Sequence, residues 1–150
     1  MRKALAAALC LVLLAASGTA LAEKTVTLTF VGDCTLGGED WLINREGSFH
    51  DYARKEGYTY FFEKMRDFFS EDDLTIINFE GVLKDDSRDA VNKTYCFRGP
   101  TDFARILPLS SIEAVNLDNN HALDYKQEGL EQTLEVLEEA GVGVSSYGRA

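Results

Sequence analysis

The sequence predicts an α/β domain with a largely parallel sheet, and three observations lead there. Short β-branched or apolar runs recur along the chain, at Thr25–Val31, Leu74–Phe79, Ser111–Leu117 and from Val142. Segments with helical spacing separate these runs, which is the order of βαβ units. The run Leu74-Thr-Ile-Ile-Asn-Phe79 is nearly continuous in apolar residues, as a buried parallel strand would be.

Thr25-Val-Thr-Leu-Thr-Phe-Val31 alternates strictly. Val26, Leu28 and Phe30 share one face, and Gly32-Asp33 ends the strand. Residues 35–58 read as loop, punctuated by Gly37, Gly38, Gly47 and Gly57. Phe61, Met65, Phe68 and Phe69 form one helical stripe across residues 60–69. Residues 84–92 read as a charged surface loop and residues 94–98 as a short strand. Thr101 opens a short helix that stops before Pro108. Asp124 is placed to cap a helix that runs to about Ala140, with Leu130, Leu134 and Leu137 as its buried stripe. Gly141 supplies the stop. A last strand begins at Val142 and the chain halts soon after, so the sequence predicts the N-terminal part of a longer domain.

Residues 1–22 read as a secretory signal. Arg2 and Lys3 precede an uncharged apolar stretch, and Ala20-Leu-Ala22 forms an A-x-A cleavage site. The stretch is shorter than the roughly 20 residues of a spanning helix. These features place the domain, residues 23–150, outside the cytoplasm or at the cell surface. A retained signal would instead tether it to the membrane. Cleavage leaves 13 basic against 25 acidic residues, a net charge of −12. That balance repels nucleic acid and excludes it as a partner. Cys34 and Cys96 remain, with no zinc spacing around them; outside the cytoplasm they could pair, and two buried free thiols are the alternative.

The chemistry-bearing residues collect where strands end. The first run closes on Asp33, the second on Asn78-Phe-Glu80, and the third on Asn119-Asn-His121 with Asp124 behind. Ligands of open parallel sheets gather at the carboxyl ends of the strands. Two carboxylates, an amide oxygen and an imidazole there suit a hard or borderline divalent cation, and His121 could then serve as a general acid. Each residue also has a plainer role: Asp33 shaping a turn, Glu80 as a solvated strand end, Asp124 as the helix cap. His50 has no partner in view and reads as structural or exposed. The motifs of serine hydrolases, P-loop proteins, dinucleotide-binding folds and zincins are absent from the sequence.

Phe30-Val-Gly-Asp-Cys-Thr-Leu-Gly-Gly38 resembles the first motif of the CapA family of capsule and poly-γ-glutamate synthesis proteins. Asp72-Asp-Leu-Thr-Ile-Ile-Asn-Phe-Glu-Gly81 resembles the second, and Asn119-Asn-His-Ala-Leu-Asp-Tyr125 the third. Phe97-Arg-Gly-Pro100 fits the segment between. The resemblance implies a calcineurin-like metallophosphoesterase fold, a layered α/β/β/α sandwich of which this chain supplies the N-terminal half. It implies metal ligands at Asp33, Glu80 and Asn120, a leaving-group role for His121, and Asp124 as the residue that orients it. The cofactor implied is a divalent metal ion, Mn, Zn or Mg. The partner implied is poly-γ-glutamate or another envelope polymer, with a membrane synthesis complex nearby. The resemblance admits two functions: a surface protein of capsule synthesis, export or anchoring, or a metal-dependent hydrolase of the envelope. Two departures from the phosphoesterase pattern weaken a two-metal centre. No histidine accompanies Asp33, and Glu80 stands where those enzymes use aspartate.

Overall fold

β-Branched and apolar residues bring four strands into one sheet. The computed structural model describes residues 24–146, so the proposed signal at 1–22 lies outside the described residues. Strand β1 spans Leu28–Cys34, β2 Leu74–Phe79, β5 Ala114–Asn116 and β6 Gly143–Ser146. They pair in the order β1-β2-β5-β6, all parallel. Two further strands, β3 at Val82–Leu83 and β4 at Arg98–Gly99, form a separate parallel ribbon. The α/β class and the parallel sheet of the sequence reading are present. Of the layered sandwich, the described residues supply one four-stranded sheet, its helices and this ribbon.

Four helices fill the crossovers: α1 at Phe49–Glu56, α2 at Arg66–Ser70, α3 at Ile106–Leu109 and α4 at Lys126–Glu139. Helix α1 corrects the expectation of loop through residue 58. Ser48 accepts the Asp51 N–H at 3.1 Å, and Gly57 ends the helix at φ +81°. Of residues 60–69, where helix was expected, 61–65 make turns, and only α2 is regular helix. Aromatic packing wins there over helical periodicity: Phe61 stacks on Phe49 at 3.8 Å. Pro108 lies inside α3 rather than beyond it, in the first turn, where a missing N–H costs no helical bond. Lys84 is buried at 2% exposure, not part of a surface loop, and its ammonium meets Glu128 and Asp86 at 3.4 Å.

The sheet has two unlike faces. Val31, Ile77, Val115 and Val144 align across all four strands. They pack with Phe69, Phe103, Ile106, Leu107, Leu130 and Leu137 into the core. On the other face Leu28 pairs with Leu74, and Phe30 with Ile76. None of these four joins the core cluster, and Phe30 is 71% exposed. The strict alternation of β1 is therefore real, but its apolar face is the open one.

One irregularity in β1 positions the site. Val31 pairs with Ile77, yet Asp33 pairs with the very next residue, Asn78. Gly32 is the extra residue of a bulge, and the strand runs on through it to Cys34. Unbroken pairing would set Asp33 opposite Phe79, whose side chain faces the core. The bulge turns the carboxylate to the open face and leaves the Cys34 thiol beside the core instead.

Candidate functional site

Three strand ends meet through one amide. Asp33 at the end of β1 can only accept, so Asn78 of β2 presents its Nδ2 to Asp33 Oδ1 at 2.7 Å. That orientation aims Asn78 Oδ1 the other way, where it accepts from Asn116 Nδ2 at 2.9 Å and Asn119 Nδ2 at 3.1 Å. Asn119 also donates to the Phe79 carbonyl at 2.8 Å, and its Oδ1 accepts the His121 N–H at 3.0 Å. A continuous polar path therefore runs from Asp33 to the backbone of His121.

The His121 ring is buried and held on three sides. Phe97 stacks on it at 4.3 Å with 24° between planes. Its Nδ1 lies 2.6 Å from Asp124 Oδ2, and since an ionised carboxylate has no proton to give, Nδ1 carries it. In the neutral ring the Nε2 lone pair is then left free. Nε2 faces Glu80 Oε1 at 3.8 Å, and Thr35 Oγ1 meets the other Glu80 oxygen at 3.5 Å. Asp124 does not cap α4, whose N-cap is Tyr125 with no side-chain cap bond. Its carboxylate instead takes the Lys93 ammonium and the Phe97 N–H, each at 2.7 Å, beside the histidine. Lys93 reaches the Asn120 carbonyl at 2.7 Å as well.

Of the residues expected at the site, His121 has Glu80 on one ring nitrogen and Asp124 on the other, and the amide path ties Asp33 to the His121 backbone. Asn120 takes part through its backbone carbonyl, and the residue is exposed. The neighbouring Asn119 is the asparagine whose side chain enters the network. Among the described residues, no three His, Cys, Asp or Glu side chains stand together as a ready metal cage. The donor set is nonetheless of the right kind: Glu80 oxygens, the Nε2 lone pair and the Asp33 carboxylate are hard to borderline ligands. Cys34 is not a nucleophile here, because burial and then the Asp33 charge push its thiol pKa up. Cys34 and Cys96 are both free.

His50 lies elsewhere, among the residues lining a cavity of about 490 Å³ between α1 and the segment around Phe103. It is buried, burial depresses its pKa, and neither ring nitrogen has a hydrogen-bond partner. No residue of the strand-end site lines that cavity.

The family model of bacterial capsule synthesis proteins, PGA_cap, matches residues 27–149. The chain belongs to this family. Among curated proteins, the sequence finds no match. The PGA_cap match takes in Asp33, Asn78, Glu80, Asn119, His121 and Asp124, so the whole strand-end site lies within the family's domain. Lys93 and Phe97 fix the histidine in this PGA_cap chain; Lys93 carried no signal in the sequence, and Phe97 carried one only as part of the Phe97–Pro100 segment, not as a partner of His121. They stand 28 and 24 residues before His121, with no motif spacing to connect them.

Proposed function

We propose that this capsule-synthesis protein works at the cell surface in the synthesis, export or anchoring of poly-γ-glutamate or a similar envelope polymer. In this reading it holds the polymer's carboxylates through a divalent cation at the strand ends. One observation supports the reading: in a member of the capsule family, Asp33 and Glu80 lie at the carboxyl ends of neighbouring parallel strands, His121 Nε2 faces Glu80, and hydrogen bonds through Asn78 and Asn119 link Asp33 to the His121 loop. Charge supports the cation. A domain of net charge −12 repels a polyanion unless a counter-ion stands between them. Glu80, His121 Nε2 and Asp33 would hold Mn, Zn or Mg, with the Asn119-Asn120 amides close by. Such a metal supplies positive charge and polarises a bound oxygen. Asp124 fixes the tautomer and tilt of His121, and Phe97 shields one ring face from water.

Calorimetric titration with poly-γ-glutamate checks this reading. Binding is expected with Mn²⁺ present and is lost on adding a chelator. Binding that survives the chelator and strengthens with salt sinks it.

A second reading, a metal-dependent hydrolase of the envelope, is favoured by the His121–Asp124 pair. An imidazole oriented by a carboxylate, with Nε2 facing outward, is arranged to pass a proton to a leaving group. Turnover of a phosphoester or amide that falls at least about a hundredfold on His121→Ala supports it. Metal affinity without turnover of any tested ester or amide overturns it and leaves a cation-dependent binding module.

A further inference from the structure

We propose that Asn78 is the positioning residue of the strand-end site, setting Asp33 and the Asn119-Asn120-His121 loop in register with one another. The inference rests on the reading that the site takes a divalent cation. Asp33 is an exposed carboxylate on an edge strand, immediately after a bulge. Among the described residues, its one side-chain hydrogen bond is to Asn78. The other end of the same amide accepts from Asn116 and Asn119, and Asn119 in turn receives the His121 N–H. A single planar group therefore transmits the position of β1 to the loop after β5.

The group at position 78 must donate on one side and accept on the other, and the amide does both with two separate atoms. Asp33 requires a donor, while Asn116 Nδ2 and Asn119 Nδ2 require an acceptor. A carboxylate at position 78 would have no donor to offer and would set two negative charges in contact. A leucine would fill the space and satisfy neither side. Partners that orient metal ligands typically contribute 10- to 100-fold in affinity. Asn78 is half-buried and faces the open side of the sheet beside Asp33, so it is not needed to fill the core.

The full chain, Asn78→Leu, Asn78→Ser and Asn116→Leu are compared by calorimetric titration with Mn²⁺. The metal-free proteins are compared by the ¹⁵N–¹H signals of their side-chain amides. Both Asn78 variants are expected to weaken Mn²⁺ binding by about tenfold or more and to shift the Asn119 side-chain signals. Asn116→Leu removes a bond of the same network without touching Asp33 and is expected to stay within about threefold. Asn78→Ser perturbs packing less and keeps the comparison readable if the leucine variant does not fold. Near-wild-type Mn²⁺ affinity in a folded Asn78 variant overturns the proposal, as does an equal loss in Asn116→Leu. If the wild-type chain binds no Mn²⁺, the cation reading fails separately. Asn119 signals that stay put in the Asn78 variants then overturn the positioning role, and signals that move uphold it.

Discussion

Asp124 is one carboxylate answering three donors: the Lys93 ammonium, the Phe97 N–H and the His121 ring. Asp124→Ala strands all three beside a buried ring and is expected to cost on the order of 3 kcal/mol, read as a lowered denaturation midpoint. Asp124→Asn keeps the size and part of the bonding and is expected to cost less. Tyr125 gives a second test. Burial first, then the Asp40 carboxylate that its hydroxyl donates to at 3.1 Å, push its pKa up to about 12. An unfolded tyrosine ionises near pH 10. The folded chain thus keeps this proton longer, so the contribution is full below pH 10 and fades as pH climbs toward about 12. Burial and then the Asp102 charge raise the Tyr58 phenol as well, so tyrosinate absorbance should show late titration that Tyr125→Phe reduces but does not abolish. Residue chemistry was partly legible in the sequence. Asp33, Glu80 and His121 stood out because each follows an apolar run. Asn78 was legible only as part of a strand end, since its bridging role depends on which residues of β1 and β5 lie beside it. The role of Asp124 was open because one carboxylate can cap a helix or hold a histidine, and only three-dimensional neighbours choose.

At the scale of elements, periodicity read long regular segments and missed short capped ones. Helix α4 was legible from its leucine stripe, and β2 from its apolar run. Helix α1 was not, because its eight residues lie among glycines and its buried face is only His50 and Ala53. Its signal was the Ser48–Asp51 spacing that satisfies an orphan N–H. Ser48→Ala is accordingly expected to cost about 1 kcal/mol in denaturant unfolding, with little change in slope. Strands β3 and β4 are two residues each, below what alternation can register. They persist because tertiary contacts hold them. Leu83 donates its N–H to Thr133 Oγ1 at 2.9 Å, and Arg98 clamps Asp40 and the Lys84 carbonyl. Gly99 lets the Leu36 backbone come so near that a Cβ would sit 2.2 Å from its carbonyl oxygen.

The molecule as a whole is lopsided. One face of the sheet meets a closed core, while Val26, Leu28 and Phe30 lie exposed along the other. A contiguous apolar strip of this kind binds hydrophobic surfaces and dyes readily. The chain is expected to enhance the fluorescence of an apolar dye in its native state. Phe30→Lys with Leu28→Lys should abolish most of that signal while leaving the thermal midpoint close to unchanged, because neither side chain belongs to the core. A signal that persists in the double variant would locate the apolar surface elsewhere. The sequence predicted the alternation of β1 but not which face would be covered. Alternation states that two faces differ, and only the positions of the helices state which one they cover.

The extra residue at Gly32 has a consequence for what this strand can tolerate. Nothing lies within 4 Å of a Cβ placed there, so residue 32 acts as a spacer and not through its side chain. Gly32→Ala should be nearly silent in stability and in Mn²⁺ affinity. Deleting Gly32 sets Asp33 directly after Val31, where it still falls opposite Asn78 on the open face, and Cys34 still falls opposite Phe79. The deletion variant is therefore expected to keep cooperative melting and Mn²⁺ binding close to those of the parent chain. Loss of either would show that the bulge itself, and not only the facing of Asp33, shapes the strand end. In this segment one residue can be lost without turning a side chain over.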